Sequence, residues 1–374
     1  MKKILNVLVI PVIVTLSLFG CQSGSQKEKN NRDVIKIGAI LPLTGKLAEM
    51  GMVEKNAMEF AAKEINHDKK VVEIFYEDTK SSSKEAATAA NKLIDINDVD
   101  ILVSSTTGAS LTVEPIATAK KKNMIAYCMD SDIAAKSPYV TRFYIGIAEE
   151  AKAIKEYFAS SKKAKRVGFL YAKVPAIESV VNNEYIPMLK DKNIEVPIIE
   201  NYDIGEKDFK TTVLKIANAN IDHLVILGYG FEYQNIFNEL KQQKILGNIQ
   251  IIGGWGFLYT SMSPSLIDGV IVSGPDYVFT NREMAKVFYD EYTKEFKTHP
   301  NFDAAFAYNV INAISKYFSK EELKSPIKDK FYKLGKLSGV VGNYYVNKRG
   351  EMIVNTGMGV IKDGIITEYK FNKK

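Results

Sequence analysis

Val34-Ile-Lys-Ile-Gly-Ala-Ile-Leu41 is apolar at every position but Lys36 and Gly38, and Pro42-Leu-Thr-Gly45 ends the run. A strand wetted on one face would alternate polar and apolar residues. This one predicts a strand covered on both faces, as in a parallel sheet between helices. Val53, Ala57, Ala61 and Ile65 follow at four-residue intervals and predict a helix. The pattern recurs: strands over 71–76, 101–103 and 124–128 are separated by helices over 84–96 and 110–122. Four strands alternating with three helices imply a doubly wound α/β unit.

The alternation then restarts. Strands are expected at 166–171, 196–200, 223–228 and 249–252, with helices at 177–189, 209–217 and 231–244 between them. A further strand at 270–273 leads into helices at 283–296, 303–318 and 321–334. Residues 344–371 read as hairpins, with turns at Lys348-Arg-Gly350 and Lys362-Asp-Gly364. Two such units mean two lobes, and helices returning after the second suggest that the chain crosses back. The boundaries are placed at 34–147 with 276–338 for lobe one, and at 148–275 with 339–374 for lobe two.

Residues 1–33 read differently. Lys2 and Lys3 precede an apolar stretch from Ile4 to Phe19 that contains Pro11. It is shorter than the ~20 residues that span a bilayer, which favours a signal peptide over 1–20. Leu18-Phe19-Gly20-Cys21 resembles a bacterial lipobox and implies lipidation of Cys21; the alternative is a secretory signal followed by an unmodified cysteine. Gln22 to Asp33 contains no aliphatic or aromatic residue and reads, with Cys21, as a tether over 21–33. The expected location is the extracytoplasmic face of a membrane. With Cys21 acylated, Cys128 has no intramolecular partner and reads as a small core residue.

Composition narrows the function classes. The chain has 374 residues, 46% hydrophobic and 25% charged, with 50 basic and 44 acidic side chains for a net charge of +6. That is average for a globular protein, and the small excess gives no support to nucleic-acid binding. His67, His223 and His299 are widely separated, and neither HExxH nor CxxC occurs, so no metal is expected. GxSxG, GxxxxGK[ST] and a strand-linked GxGxxG are also absent, and Gly253-Gly-Trp-Gly256 fits neither phosphate loop. The pairs Glu77-Asp78 and Glu149-Glu150 read as solvated acids. No enzyme and no cofactor is expected.

The strand ends carry more. In open α/β sheets, ligands bind beyond the carboxyl ends of strands, often at helix N-termini. The third strand leads into Ser104-Ser-Thr-Thr-Gly-Ala-Ser110, small and hydroxyl residues ahead of a helix; they either grip a polar ligand group or simply cap the helix. Met129-Asp-Ser-Asp132, after the fourth strand, is a second such run.

Ile35-Lys-Ile-Gly-Ala-Ile-Leu-Pro-Leu-Thr-Gly45, Gly51 and Glu64-Ile-Asn66 together are similar to the opening of the branched-chain amino-acid-binding family of type I periplasmic binding proteins. Glu77-Asp78, Thr112-Val-Glu-Pro-Ile-Ala117, Gly205-Glu-Lys-Asp-Phe209 and Gly342-Asn-Tyr-Tyr continue the likeness along nearly the whole body. The resemblance implies two doubly wound lobes joined by a three-segment hinge. It also implies a monomeric lipoprotein that delivers a small ligand to an ABC permease, or alternatively a sensor of the same fold without transport. It assigns ligand contacts to Met50, Thr106, Thr107, Gly108, Ala109, Ser131 and Asp132 on lobe one, and to Ala176-Ile177, Tyr229-Gly-Phe231 and Trp255 on lobe two. Amino-acid binders commonly place Tyr-Gly where Ala176-Ile177 stands, an acid where Trp255 stands and a hydroxyl where Asp132 stands. Trp255 removes a partner for a ligand ammonium and adds a flat apolar surface. The expected ligand is therefore not a simple branched-chain amino acid. It is aromatic or planar, or bears a cationic or amide group, stacked on Trp255 and Phe231 with Asp132 accepting hydrogen bonds.

Overall fold

The computed structural model describes residues 34–230, 232–259, 262–275, 278 and 283–371. Residues 1–20, read above as a signal peptide, residues 21–33 with Cys21, and Phe231 lie outside the described residues. The first lobe begins with β1 (Ile35–Leu41), α1 (Ala48–Ile65), β2 (Val72–Asp78), α2 (Ser83–Asp95), β3 (Ile101–Ser105), α3 (Thr107–Ala119), β4 (Asn123–Tyr127) and β5 (Val140–Arg142). Its five strands are parallel in the order β2-β1-β3-β4-β5. The register sets Leu41 opposite Asp78, Ile40 opposite Ser104 and Ser105 opposite Tyr127, so the strand ends meet at one edge.

The second lobe follows with α4 (Ile147–Ser160), β6 (Arg166–Ala172), α5 (Pro175–Val180), α6 (Ile186–Asp191), β7 (Glu195–Tyr202), α7 (Lys210–Asn218), β8 (His223–Leu227), α8 (Tyr233–Gln242), β9 (Gln250–Gly253), α9 (Pro264–Ile267) and β10 (Ile271–Pro275). The chain continues through α10 (Glu283–Phe296), α11 (Phe302–Tyr317), α12 (Lys328–Lys333), β11 (Leu337–Gly339), β12 (Gly342–Val346), β13 (Met352–Val354), β14 (Thr356–Lys362) and β15 (Ile365–Glu368). The second sheet runs β15-β14-β10-β9-β8-β6-β7, with the last hairpin added antiparallel at its edge.

Burial explains these elements. β3, β4, β8 and β10 are buried along their whole length, as expected for strands covered on both faces. One face of the first sheet packs on α2 and α3 through Leu93, Val113 and Met124. The other face shares a cluster with Phe60 of α1, Phe306 of α11 and Phe331 of α12. The second lobe is filled on its two faces by separate clusters, one around Tyr233 and Phe237, the other around Tyr157 and Tyr185.

Three features depart from the sequence reading. β5 and α4 were not anticipated, because Val140-Thr-Arg142 is too short and too polar to stand out as a strand. The helix expected over 321–334 is broken: Ser325, with Pro326 after it, is extended (φ −121°, ψ 164°), which leaves a short turn at Glu322–Lys324 before α12. The hairpin at 342–354 was assigned to lobe two. Instead it forms a separate three-stranded sheet with β11, and Tyr344, Val346 and Met352 are buried in the lobe-one cluster. Only β14 and β15 join lobe two.

Candidate functional site

A cavity of about 410 Å³ lies where the carboxyl ends of the two sheets approach each other. Lobe one contributes Met50 and Glu54 of α1, Ser105 and Thr106 at the end of β3, Tyr127 at the end of β4, Tyr144, and Asp303 of α11. Lobe two contributes Ile204, Tyr229 and Trp255. A second hollow, lined by Met284, Val287 and Tyr308, lies against α10 and α11 and shares no lining residue with the first.

Thr106 has φ +75° and ψ 148°, a left-handed region that a β-branched side chain rarely enters. Such strain persists where surrounding structure imposes it, and it concentrates at functional sites. Its hydroxyl accepts the Ala109 N–H at 3.3 Å and caps α3, while Thr107 Oγ1 accepts the Met129 N–H at 3.3 Å. Capping and cavity lining are thus combined in one loop. Ser110 is buried and turns back to donate to Ser104, so that end of the run is structural.

Trp255 is held by close backbone approaches. A Cβ on Gly256 would lie 2.1 Å from the Gly228 carbonyl oxygen, and one on Gly254 would lie 2.6 Å from a Glu150 oxygen. Only glycines allow this turn to press so closely on the end of β8 and on α4, which is the role of the Gly-Gly-Trp-Gly run. The indole packs edge-on against Tyr229, with ring centroids 5.7 Å apart, and joins the lobe-one cluster at 3% exposure. On the facing lobe, Tyr127 and Tyr144 stack with centroids 6.1 Å apart. Two aromatic pairs, one from each lobe, therefore flank the cavity.

The cavity also holds two buried acids. Glu54 and Asp303 are each 1% exposed. Ser105 donates to Glu54 Oε1 at 2.8 Å, and Tyr144 donates to Asp303 Oδ1 at 2.7 Å. Burial first, and the neighbouring Asp303 second, hold the Glu54 carboxyl well above the usual carboxylate range; the Ser105 hydrogen bond opposes them. Cys128 also reaches the wall, but burial pushes its thiol up to about 12, which leaves it protonated and unreactive. Among the described residues, no group of three or more His, Cys, Asp or Glu is placed to hold a metal ion.

Of the residues named from sequence, Met50, Thr106, Thr107, Tyr229 and Trp255 line the cavity. Gly108 and Ala109 lie in the first turn of α3 behind its wall. Ser131 and Asp132 are exposed and do not line this cavity. Asp132 pairs with Arg349 at 2.5 Å, and the Met129–Asp132 run is a cap in which Asp130 accepts the Asp132 and Ile133 N–H groups. Ile177 is buried in the lobe-two core. Glu54, Asp303, Tyr127 and Tyr144 were not singled out. A signal existed for Glu54: it occupies an apolar slot in the buried series Gly51, Glu54, Ala57, Met58 and Ala61 of α1.

Two doubly wound lobes with a cavity between their strand ends define a bilobal ligand-binding protein. Residues 34–320 match the periplasmic binding protein family model, and the chain belongs to that family. A Leu/Ile/Val-binding protein of Citrobacter freundii is 26% identical over 69% of this chain and 72% of its own length. Leu/Ile/Val-binding protein homolog 2 of Brucella abortus is 22% identical over 85% and 87%. An ABC-transporter solute-binding protein of Rhodopseudomonas palustris, solved with 3,4-dihydroxybenzoic acid, superposes with a TM-score of 0.75 at 21% identity, covering 90% of this chain and 96% of that one. The substrate-binding protein LivJ of Streptococcus pneumoniae, solved with isoleucine, gives 0.72 at 23% identity, covering 89% and 98%. These relatives are binding proteins, not enzymes.

Proposed function

We propose that this protein is the extracytoplasmic solute-binding component of an ABC importer, anchored through a lipid on Cys21, and that it captures a small amino-acid-like, aromatic or amide-type ligand by closing two lobes on it. The observation that carries this reading is the wall of the cavity. It draws Thr106, Tyr127 and Tyr144 from one lobe and Tyr229 and Trp255 from the other, so a ligand between them touches both. A ligand that contacts both lobes binds the closed form more tightly and shifts the population toward it. Met50, Thr106, Thr107, Tyr229 and Trp255 are the proposed contacts. The importer role rests on the kinship with amino-acid-binding and ABC-transporter proteins. The anchor rests on the lipobox-like sequence, and mass spectrometry of the mature N-terminus tests it.

A thermal-shift screen of the full chain against amino acids, aromatic acids, amides and amines tests the binding reading. A ligand at 100 times its Kd stabilises the fold by about 2.7 kcal/mol. Saturable stabilisation by one solute class, followed by uptake in vesicles bearing the cognate permease, is the expected outcome. Failure of every class refutes it. With Trp255 at the wall, leucine and valine are expected to bind poorly; micromolar binding of either refutes that part.

A further inference from the structure

We propose that the cavity is built for a protonated amine, whose N–H groups are received by the buried carboxylates of Glu54 and Asp303 while the rings of Tyr127, Tyr144, Tyr229 and Trp255 surround its stem. This deepens the binding reading above and rests on it.

The argument starts from an unmet acceptor. Glu54 is 1% exposed, and its Oε2 has no hydrogen-bond partner among the described residues, whereas Oε1 is satisfied by Ser105. A buried carboxylate oxygen without a donor is costly, and the cavity wall is where Glu54 meets open space. A group entering there and donating a hydrogen bond removes the cost. A carboxylate in the ligand has no proton to give and adds like charge.

Charge points the same way. The cavity lining holds Glu49, Glu54 and Asp303 against a single base, Lys46, and both Lys46 and Glu49 are exposed at the rim. The buried part of the wall is thus acidic without a buried base. Burial first and the Asp303 charge second hold Glu54 above its usual range, so the two acids repel each other when ionised. A cation relieves that repulsion, a neutral solute leaves it, and an anion worsens it.

The rings supply the remainder. The faces of Tyr and Trp attract cations within about 6 Å. Here the Tyr127–Tyr144 pair borders the acids, with Tyr144 donating to Asp303, and the Tyr229–Trp255 pair lines the same cavity from lobe two, so an amine head and its adjoining carbons meet both charge and π surface. A quaternary ammonium lacks the N–H that Glu54 Oε2 needs, and the pair therefore selects an amine bearing protons.

Two matched sets of probes test this on the full chain by calorimetry at pH 7. Benzylamine, benzyl alcohol and benzoate share a ring; butane-1,4-diamine, butane-1,4-diol and succinate share a chain. The expected result is that in at least one set the amine binds ten times or more tighter than its alcohol and its acid. Glu54→Gln should cut that amine's affinity at least tenfold and weaken the alcohol clearly less. The proposal is overturned if an alcohol or acid binds as tightly as its amine, if Glu54→Gln weakens both equally, or if leucine or an aromatic acid binds while both amines fail. If none of these compounds and no solute of the wider screen stabilises the protein, the binding reading itself falls, and this inference with it.

Discussion

The Glu150 carboxylate accepts the backbone N–H of Trp255 at 2.6 Å inside the second lobe, with both residues almost wholly shielded from solvent. The sequence reading placed Glu150 among solvated acids; instead it ties the aromatic turn at the cavity to α4. The Ser273 hydroxyl also donates to it, at 3.4 Å.

Burial pushes Glu150 up to about 7, although both hydrogen bonds favour the ionised form. A carboxyl whose folded pKa is raised contributes stability below its unfolded value of 4.5, and that contribution is lost as pH rises through about 7. The neighbouring Tyr185 and Tyr233 are themselves pushed further above their ordinary value and stay neutral in this window. Glu150→Gln keeps an acceptor for Trp255 without the charge. Its stability relative to wild type should therefore rise from pH 5.5 to pH 8.5, by on the order of 2 kcal/mol. Urea denaturation at the two pH values measures the difference. A difference that does not change with pH contradicts the assignment.

The Asp132–Arg349 pair makes the opposite kind of claim. Its side chains are 75% and 54% exposed and lie off the cavity lining, and such pairs contribute little and are screened by salt. Asp132→Asn should leave ligand affinity within twofold and the unfolding midpoint nearly unchanged. A tenfold loss of affinity would place Asp132 among the ligand contacts.

Gly51 marks where α1 presses on the loop after β1. A Cβ there would lie 2.3 Å from the Pro42 carbonyl oxygen, a backbone atom that cannot rotate away. Gly51→Ala should destabilise the fold by at least ~1–3 kcal/mol, the usual cost of overpacking, despite alanine's better helix propensity. Gly108→Ala is the control: its nearest atom, 2.9 Å away, is the Ser83 hydroxyl, which can turn aside. Equal midpoints for the two variants in thermal denaturation would refute the contrast.

The same contrast between what surrounds a residue and what its letter suggests decides how much was legible in advance. Strands such as β3 and β4 show in sequence because burial on both faces leaves an apolar run. Thr106 shows because it follows a strand end on the edge where open α/β sheets place ligands, whereas Trp255 came only from the register of the family resemblance. Glu54 and Asp303 are different. A glutamate within a helix and an aspartate in the first turn after an Asn cap are ordinary on solvated faces, and their burial comes from the packing of α1 on α11, elements more than 200 residues apart in the chain. The placement of the hairpin at 342–354 was hidden for the same reason: alternation shows that a strand has a buried face, not which lobe covers it.

Trp255 is the chain's only tryptophan, and it serves both as cavity wall and as part of the lobe-one cluster. These roles separate by substitution. Trp255→Phe keeps a ring for the cavity and most of the buried apolar area, so it should retain binding within about tenfold and cost little stability. Trp255→Ala removes the ring from both places, and truncations of this kind typically cost about 3–5 kcal/mol. It should lower the unfolding midpoint and abolish measurable ligand binding together. In the unaltered protein, the emission of this single indole should shift saturably with ligand, because closing the lobes over a ligand changes the water around it. Emission that stays constant while calorimetry records binding would place Trp255 in the core alone, and the ligand would then be gripped by the Tyr127 and Tyr144 side of the cavity.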